Sequence, residues 1–190
     1  MARVEQKGGV LVSLAQRYSK WQYGRELTIT PVIAQSRPNM IGWGAFEWLH
    51  ERSHRVEVKL KLLAATKAAT MIGCEFCIDI GSALGRDAGV TEAQLRDFHN
   101  YRESPAFSVV EKLVMEYAEE MSKTNAEVPD ELFARLREHF DDGQIVELTA
   151  AIAIENFRAR FNRAREIPPS GFSEGMFCPL PDSQSASTAA

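Results

Sequence analysis

Apolar residues recur at helical spacing along most of the chain, and this period constrains the fold more than any other feature. The clearest run is Val110, Leu113, Val114, Tyr117 and Met121, which share one face because a helix turns once in about 3.6 residues. Two further runs with the same spacing are Ile145, Leu148, Ile152 and Leu132, Leu136, Phe140. The pattern predicts an all-α fold.

The same period predicts where the helices lie. Their expected bounds are 9–22, 38–52, 56–71, 74–87, 92–99, 106–122, 130–139 and 143–165. Thr91 and Gln94 have the spacing of a capping box, which supports a helix that begins at residue 92. Strand-type alternation is short, since the best candidate, 27–33, is interrupted by Pro31.

Composition divides the chain into three parts. We expect residues 1–54 to form an N-terminal helical extension around a core at 55–167. Residues 168–190 contain four prolines and end in Ser-Gln-Ser-Ala-Ser-Thr-Ala-Ala, a composition that cannot build a core of its own. Phe172, Met176 and Phe177 are expected to anchor the first half of this tail onto the domain or onto a neighbouring subunit.

The charge balance excludes several classes of protein. With 22 Lys and Arg against 26 Asp and Glu, the net charge is −4, so no basic excess is available to neutralise nucleic-acid phosphates. No stretch approaches the roughly 18 consecutive apolar residues of a membrane helix, and no apolar signal follows the N-terminal charges. We therefore expect a cytoplasmic protein that binds neither nucleic acid nor membrane.

Cys74 and Cys77 form a C-x-x-C pair directly after Gly73. Gly73 can end the preceding helix, so that a new helix begins at or near Cys74. The free N–H groups at a helix start stabilise a thiolate, and residues three apart face the same side, where two sulfurs can form a disulfide. The pattern favours thiol redox chemistry, although two cysteines in a core helix can also be inert filling.

A metal site has less support in the sequence. A structural zinc needs four ligands, and the remaining cysteine, Cys178, stands in the tail with no evident partner. His50 and His54 are four residues apart but lie on a different predicted helix. We expect neither a metal nor an organic cofactor.

The residues around the cysteines carry a resemblance to a known family. The matching stretches are LKLLAATKAATMIGCEFCID (60–79), LGRDAGVTEAQL (84–95), 113–122, 128–140 and 144–153. In order and spacing they resemble the carboxymuconolactone decarboxylase family, in particular the branch similar to alkylhydroperoxidase D (AhpD). The resemblance implies an all-helical fold that assembles into trimers or hexamers, with C-x-x-C as the redox centre. It also implies that Cys77 attacks the peroxide and Cys74 resolves the product, whereas the helix start alone favours Cys74 as the thiolate.

Two positions depart from the AhpD pattern, in which a Glu twelve residues before the pair and a His four residues after it relay protons. These positions are Leu62 and Gly81 here. The candidates for a replacement relay are Glu57, Asp79 and Glu147. We expect Glu57 and Glu147 to lie on helices that pack in the core, where burial would raise the pKa of a carboxylate towards that of a useful base. An ideal helix turns Asp79 away from the sulfurs.

These features predict a thiol-dependent, alkylhydroperoxidase-like antioxidant enzyme or a disulfide oxidoreductase that uses Cys74 and Cys77. The expected partners are a small hydroperoxide or disulfide substrate, a dithiol electron-donor protein and further copies of the chain. Two alternatives stay open. One is a lyase acting on a small organic acid, as the decarboxylase branch does, and the other is a non-catalytic oligomeric redox sensor.

Overall fold

The computed structural model describes residues 8–179, and this part of the chain is helical and contains no β-strand. The helices are α1 (Val10–Tyr23), α2 (Thr30–Ile33), α3 (Arg37–His50), α4 (Val58–Ile72), α5 (Glu75–Asp87), α6 (Glu92–Arg96), α7 (Val109–Ser122), α8 (Asp130–His139) and α9 (Asp142–Ala164). A 3₁₀ turn, Phe98–Asn100, follows α6. The all-α prediction is confirmed, and every predicted helix begins within three residues of an observed one.

Residues 27–33 form no strand, in agreement with the all-α prediction. Thr30–Ile33 forms the short helix α2, and Pro31 lies in its first turn, where the missing N–H has no helical partner to lose. Val32 and Ile33 are buried, so the apolar residues that mimic a strand pack as one helical turn instead.

The central helix of the fold is α4, which packs against α5, α7 and α9. Small residues allow this close packing, since Ala64 and Ala68 lie in the main core with Leu148 and Ile152 of α9. The end of α4 is set by Gly73, whose φ of 76° is a left-handed conformation that favours glycine. The chain therefore turns sharply at Gly73 and enters α5.

Three lysines of α4 reach carboxylates on the neighbouring helices. The pairs are Lys59–Glu111, Lys61–Glu147 and Lys67–Glu119, with N–O distances of 2.5, 2.6 and 2.7 Å. A charge removed from water is tolerated when it is paired and hydrogen-bonded. These pairs fix how α4 is aligned with α7 and α9.

The N-terminal helices pack on the rest of the chain through α2, whose Val32 lies in a buried cluster with Ala69 and Ala159, and through α3. Trp43 packs on Phe157 and Phe161 of α9, with ring centroids 4.8 and 5.2 Å apart. The predicted division between 54 and 55 lies in the loop between α3 and α4, and the division into domains stays a prediction. No helix in the described part of the chain is long and apolar enough to cross a bilayer.

Residues 168–179 return along α5, and we call this segment the C-terminal strap. The carboxylate of Asp79 accepts hydrogen bonds from the backbone N–H groups of Phe172 and Ser173, at 3.0 and 2.7 Å. Further along, Arg86 donates to the carbonyl of Phe177. The strap is thus held mainly by polar contacts with α5.

The contacts of the tail with the described domain are partly those expected. Phe177 packs against a buried cluster, whereas Met176 is 48% exposed on the chain. Cys178 has a partner, because its sulfur lies 3.4 Å from Ser82 Oγ. The polar end of the predicted tail, 180–190, lies outside the described residues.

The strap also contacts the N-terminal part of the chain. The hydroxyl of Thr28 donates to the carbonyl of Pro168 at 2.7 Å, and the N–H of Thr28 donates to Ser170 Oγ at 3.1 Å. Residues close to the two ends of the described chain therefore meet beside the start of the strap.

Candidate functional site

The two cysteines stand at the N-terminus of α5. Cys74 is the N-cap residue, and its sulfur accepts the backbone N–H of Cys77 at 3.2 Å. The sulfurs are joined in a disulfide with the Cα atoms 5.3 Å apart, within the usual range. The predicted helix start after Gly73 is confirmed.

This location favours thiolate chemistry at Cys74 in the reduced state. The unsatisfied N–H groups and the positive end of the helix dipole lie next to its sulfur, and both stabilise negative charge. Both residues are largely buried, with exposed fractions of 2% for Cys74 and 5% for Cys77. A Cys74 thiolate would therefore be stabilised by the N–H groups at the start of α5 rather than by bulk water.

A cavity of about 210 Å³ opens beside the pair. One wall is formed by Gly73, Cys74 and Glu75, and the other by Asn162, Arg163 and residues 166–169. Cys74 lines the cavity, whereas Cys77 is not part of its wall. A small molecule in this cavity would contact Cys74 rather than Cys77.

Asn162 of α9 is a site residue that the sequence reasoning missed. Its Nδ2 lies 3.4 Å from the sulfur of Cys77, and the residue is 2% exposed. Its Oδ1 is buried and has no hydrogen-bond partner among residues 8–179. Buried amides rarely leave an acceptor unpaired, so this oxygen is an exception among the polar atoms near the pair.

A buried ionic cluster lies two helical turns before Asn162 on α9. Glu155 Oε2 is 3.1 Å from Arg158 Nη1, and Arg158 also donates to Glu47. Burial raises the pKa of Glu155 to about 7, although the guanidinium of Arg158 acts to lower it. Arg158 is thus paired with two carboxylates, those of Glu155 and Glu47.

Glu147, one of the three predicted relay residues, is buried as expected, but its pKa is shifted in the direction opposite to the expected one. Burial acts to raise its pKa, but the ammonium of Lys61 and the backbone N–H groups of Arg55 and Val56 outweigh this and lower the pKa to about 2. The expectation of a raised pKa is wrong. A carboxylate this acidic is a weak base, and it stabilises the start of α4.

The other two relay candidates, Asp79 and Glu57, have structural positions away from the sulfurs. Asp79 is turned away from the sulfurs and holds the strap. The expectation that Glu57 packs in the core is wrong, because Glu57 is exposed at the N-cap position of α4. None of the predicted relay carboxylates has a described hydrogen bond to either sulfur, and their relay role stays a prediction.

The structure gives a physical reason for the departure at position 81. A Cβ atom built on Gly81 would lie 2.6 Å from Thr66 Oγ1 of α4, closer than real side-chain contacts. A histidine at this position would therefore require Thr66 to move. Within residues 8–179 there is also no group of three or more His, Cys, Asp or Glu side chains that could hold a metal ion.

Comparison with known proteins is consistent with this architecture. The model of the carboxymuconolactone decarboxylase family matches residues 40–120. The uncharacterized protein YnjA of Escherichia coli K12 is 37% identical over 138 residues, which cover 73% of each chain.

Two solved structures have the same fold. One is an alkylhydroperoxidase AhpD core protein, an uncharacterized peroxidase-related protein from Ralstonia eutropha JMP134, with a TM-score of 0.79, 16% identity and coverage of 95% of this chain and 98% of that one. The other is a single-residue variant of the debrominase Bmp8 in complex with 2,3,4-tribromopyrrole, with a TM-score of 0.78, 16% identity and coverage of 90% and 95%.

Proposed function

Since this chain belongs to the carboxymuconolactone decarboxylase family, we propose that it is a dithiol oxidoreductase of the AhpD-like branch that reduces small hydroperoxides. The family includes peroxidase-related proteins and decarboxylases, so membership alone does not choose between these activities. The cysteine pair and its surroundings support the peroxidase-like activity.

The observation that carries the proposal is the position of the pair. Cys74 and Cys77 are close enough to form a disulfide, stand at a helix N-terminus and lie beside a cavity of small-molecule size. A stabilised thiolate next to a resolving thiol is sufficient for reduction of a peroxide. One turnover converts a hydroperoxide and the dithiol into an alcohol, water and the disulfide.

The cycle needs a reductant of matching chemistry. A dithiol donor protein returns the disulfide to the dithiol by thiol–disulfide exchange, taking up the disulfide itself. This requirement fits an activity in the cytoplasm, where thiols are kept reduced.

A homo-oligomer is part of the proposal, because α1 and α3 expose large apolar side chains such as Trp21, Trp48 and Leu49.

The experiment measures dithiol-dependent consumption of tert-butyl hydroperoxide by the full chain. Cys74→Ser and Cys77→Ser are expected to abolish turnover, and Cys178→Ser serves as the matched control that keeps it. The proposal fails if the wild type shows no turnover, or if turnover survives loss of both paired cysteines.

The two alternatives give different results in the same set of variants. Release of CO₂ from a small organic acid that survives both cysteine substitutions would identify a lyase. A disulfide that forms and is reduced reversibly, without turnover of hydroperoxide, would identify a redox sensor.

A further inference from the structure

The disulfide is enclosed, although thiol–disulfide exchange needs an open approach to it. Cys74 and Cys77 are only 2% and 5% exposed, and they share a buried cluster with Ile29, Val32 and Ile167. Reduction of a disulfide requires that an attacking thiolate reach one of its sulfurs, so the rate of exchange depends on access. A donor protein can therefore react only after part of these surroundings has moved.

Residues 167–170 follow the end of α9, and we call them the lid. The side chain of Ile167 is buried in the cluster that contains the cysteines, whereas Pro168 and Pro169 are exposed. Residues 167–169 also form part of the wall of the cavity to which Cys74 belongs. An outward movement of the lid would widen this cavity and withdraw Ile167 from the cluster.

The backbone on both sides of the lid is in the left-handed conformation. Glu166 has a φ of 51° and Gly171 a φ of 77°. Glycine adopts this conformation at little cost, whereas a residue with a Cβ is disfavoured there. Between the two turns, the rings of Pro168 and Pro169 fix φ and stiffen the chain. The lid is thus a stiff segment between two sharp turns, and strain of the kind seen at Glu166 is typical of segments that switch between two arrangements.

The lid is latched to Thr28, which precedes α2. The hydroxyl of Thr28 donates to the carbonyl of Pro168 at 2.7 Å and lies 3.2 Å from Ser170 Oγ, which also accepts the N–H of Thr28. Within the last turn before the lid, the N–H of Ile167 donates to the carbonyl of Asn162 at 3.0 Å. Hydrogen bonds that water can replace contribute only modestly to stability. The lid can therefore open locally, at a free energy below that of unfolding the helical core.

We propose, on the basis of the proposed function, that opening of the lid admits the dithiol donor protein to the disulfide between Cys74 and Cys77. In the open state a donor thiolate attacks one of the two sulfurs, the disulfide bond breaks, and the other cysteine leaves as a thiolate that takes up a proton. The second donor thiolate then attacks the donor sulfur of this mixed disulfide and releases the remaining cysteine, which is also protonated. The donor is oxidised to its disulfide, and its two electrons and two protons produce the dithiol of this chain.

A latch of this kind has a kinetic signature. The observed rate of reduction is the rate in the open state multiplied by the fraction of molecules that are open. Weakening the latch raises that fraction and therefore speeds reduction by the same factor for reductants of different chemistry. A change in the reactivity of the sulfurs themselves would affect a thiol and a phosphine differently.

The test measures how fast the disulfide is reduced in the full chain by dithiothreitol and by tris(2-carboxyethyl)phosphine, with alkylation and mass spectrometry as the readout. Thr28→Val removes the latch hydroxyl with little change in side-chain size. It is expected to speed reduction about three- to tenfold, the effect of one lost hydrogen bond on the opening equilibrium, and by the same factor for both reductants. Ser170→Ala is expected to act in the same direction.

Thr149→Val is the matched control, because the hydroxyl of Thr149 on α9 lies 2.8 Å from that of Tyr117 on α7, away from the lid. It loses the same kind of contact and is expected to leave the rate of reduction unchanged. Hydrogen exchange locates the opening, since the amide of Ile167 is expected to exchange faster in Thr28→Val while the amides of α4 keep their protection.

Unchanged reduction in both latch variants, or an equal acceleration in Thr149→Val, would overturn the role of the lid. None of these measurements involves a hydroperoxide. Absence of hydroperoxide turnover in the wild type would therefore contradict the proposed function and leave the result for the lid standing.

Discussion

Replacing Glu155 by Gln is expected to make the protein more stable at neutral and alkaline pH. Glu155 is 6% exposed, its Oε1 has no partner in the described residues, and its Oε2 shares Arg158 with Glu47. Because burial raises its pKa in the fold to about 7, ionisation of Glu155 opposes folding.

The size of the effect follows from the pKa. In the unfolded chain the carboxyl titrates near its ordinary pKa of 4.5, and in the fold near 7. A difference of about 2.5 units corresponds to about 3 kcal/mol at 1.36 kcal/mol per unit. Since the folded pKa is the higher one, this contribution is fully present below pH 4.5 and is lost as the pH rises through 7.

The assay is urea unfolding of wild type and Glu155→Gln between pH 4.5 and 8. The free energy of unfolding of the Gln variant, relative to wild type, is expected to rise by about 3 kcal/mol across this range. Glu138→Gln, at an exposed position of α8, is the control for the loss of a carboxyl group as such. Parallel stability curves for Glu155→Gln and wild type would refute the reasoning.

Three further substitutions test other parts of the structure. Glu147→Leu leaves Lys61 charged and nearly buried, so chemical denaturation is expected to show a loss of about 3–5 kcal/mol that Lys61→Met partly restores. Asp79→Asn removes the charge that holds the strap, so limited proteolysis is expected to cut the strap faster than in wild type. Glu147→Leu is the control, because it lowers stability without touching the strap and shows whether general destabilisation explains faster cleavage. Gly81→His forces a side chain against Thr66, and thermal unfolding is expected to show a loss of about 1–3 kcal/mol in the free energy of unfolding. Adding Thr66→Ala is expected to reduce this loss. An unchanged stability in Gly81→His would contradict the close contact.

The helices and the position of the dithiol could be predicted from the sequence because the residues that determine them are close together in the chain. A glycine that ends α4, a capping residue that begins α5 and a spacing of three between the sulfurs all lie within a few residues of one another. Helical periodicity likewise depends on neighbours one turn apart. Such features need no knowledge of which helices pack together.

The place of Asn162 in the site depends on its contact with Cys77, which lies 85 residues earlier in the chain. A local sequence pattern does not specify such a contact. The sequence nevertheless contains a signal for it. Ile145, Leu148 and Ile152 form an apolar stripe whose continuation at alternating steps of three and four is 155, 159 and 162. Polar residues at 155 and 162 therefore stand on a buried stripe, where an Asn or a Glu needs a specific partner.

Glu147 shows a different limit of sequence reasoning. Its burial follows from its position next to Leu148, and that part of the expectation is correct. The direction of the pKa shift depends on what else is buried there, and Lys61 together with two backbone N–H groups reverses the effect of burial. Periodicity predicts that a residue is inside, but it does not predict the charges that surround it.

The contacts between Thr28 and the strap have a consequence for the order in which the protein is completed. They join residues about 140 positions apart, and the second wall of the cavity is built from residues 162–169. On a ribosome, the two cysteines emerge more than 80 residues before that wall exists. The nascent chain thus presents an open thiol pair to its surroundings, and the pair is enclosed only after residues 162–169 have been added.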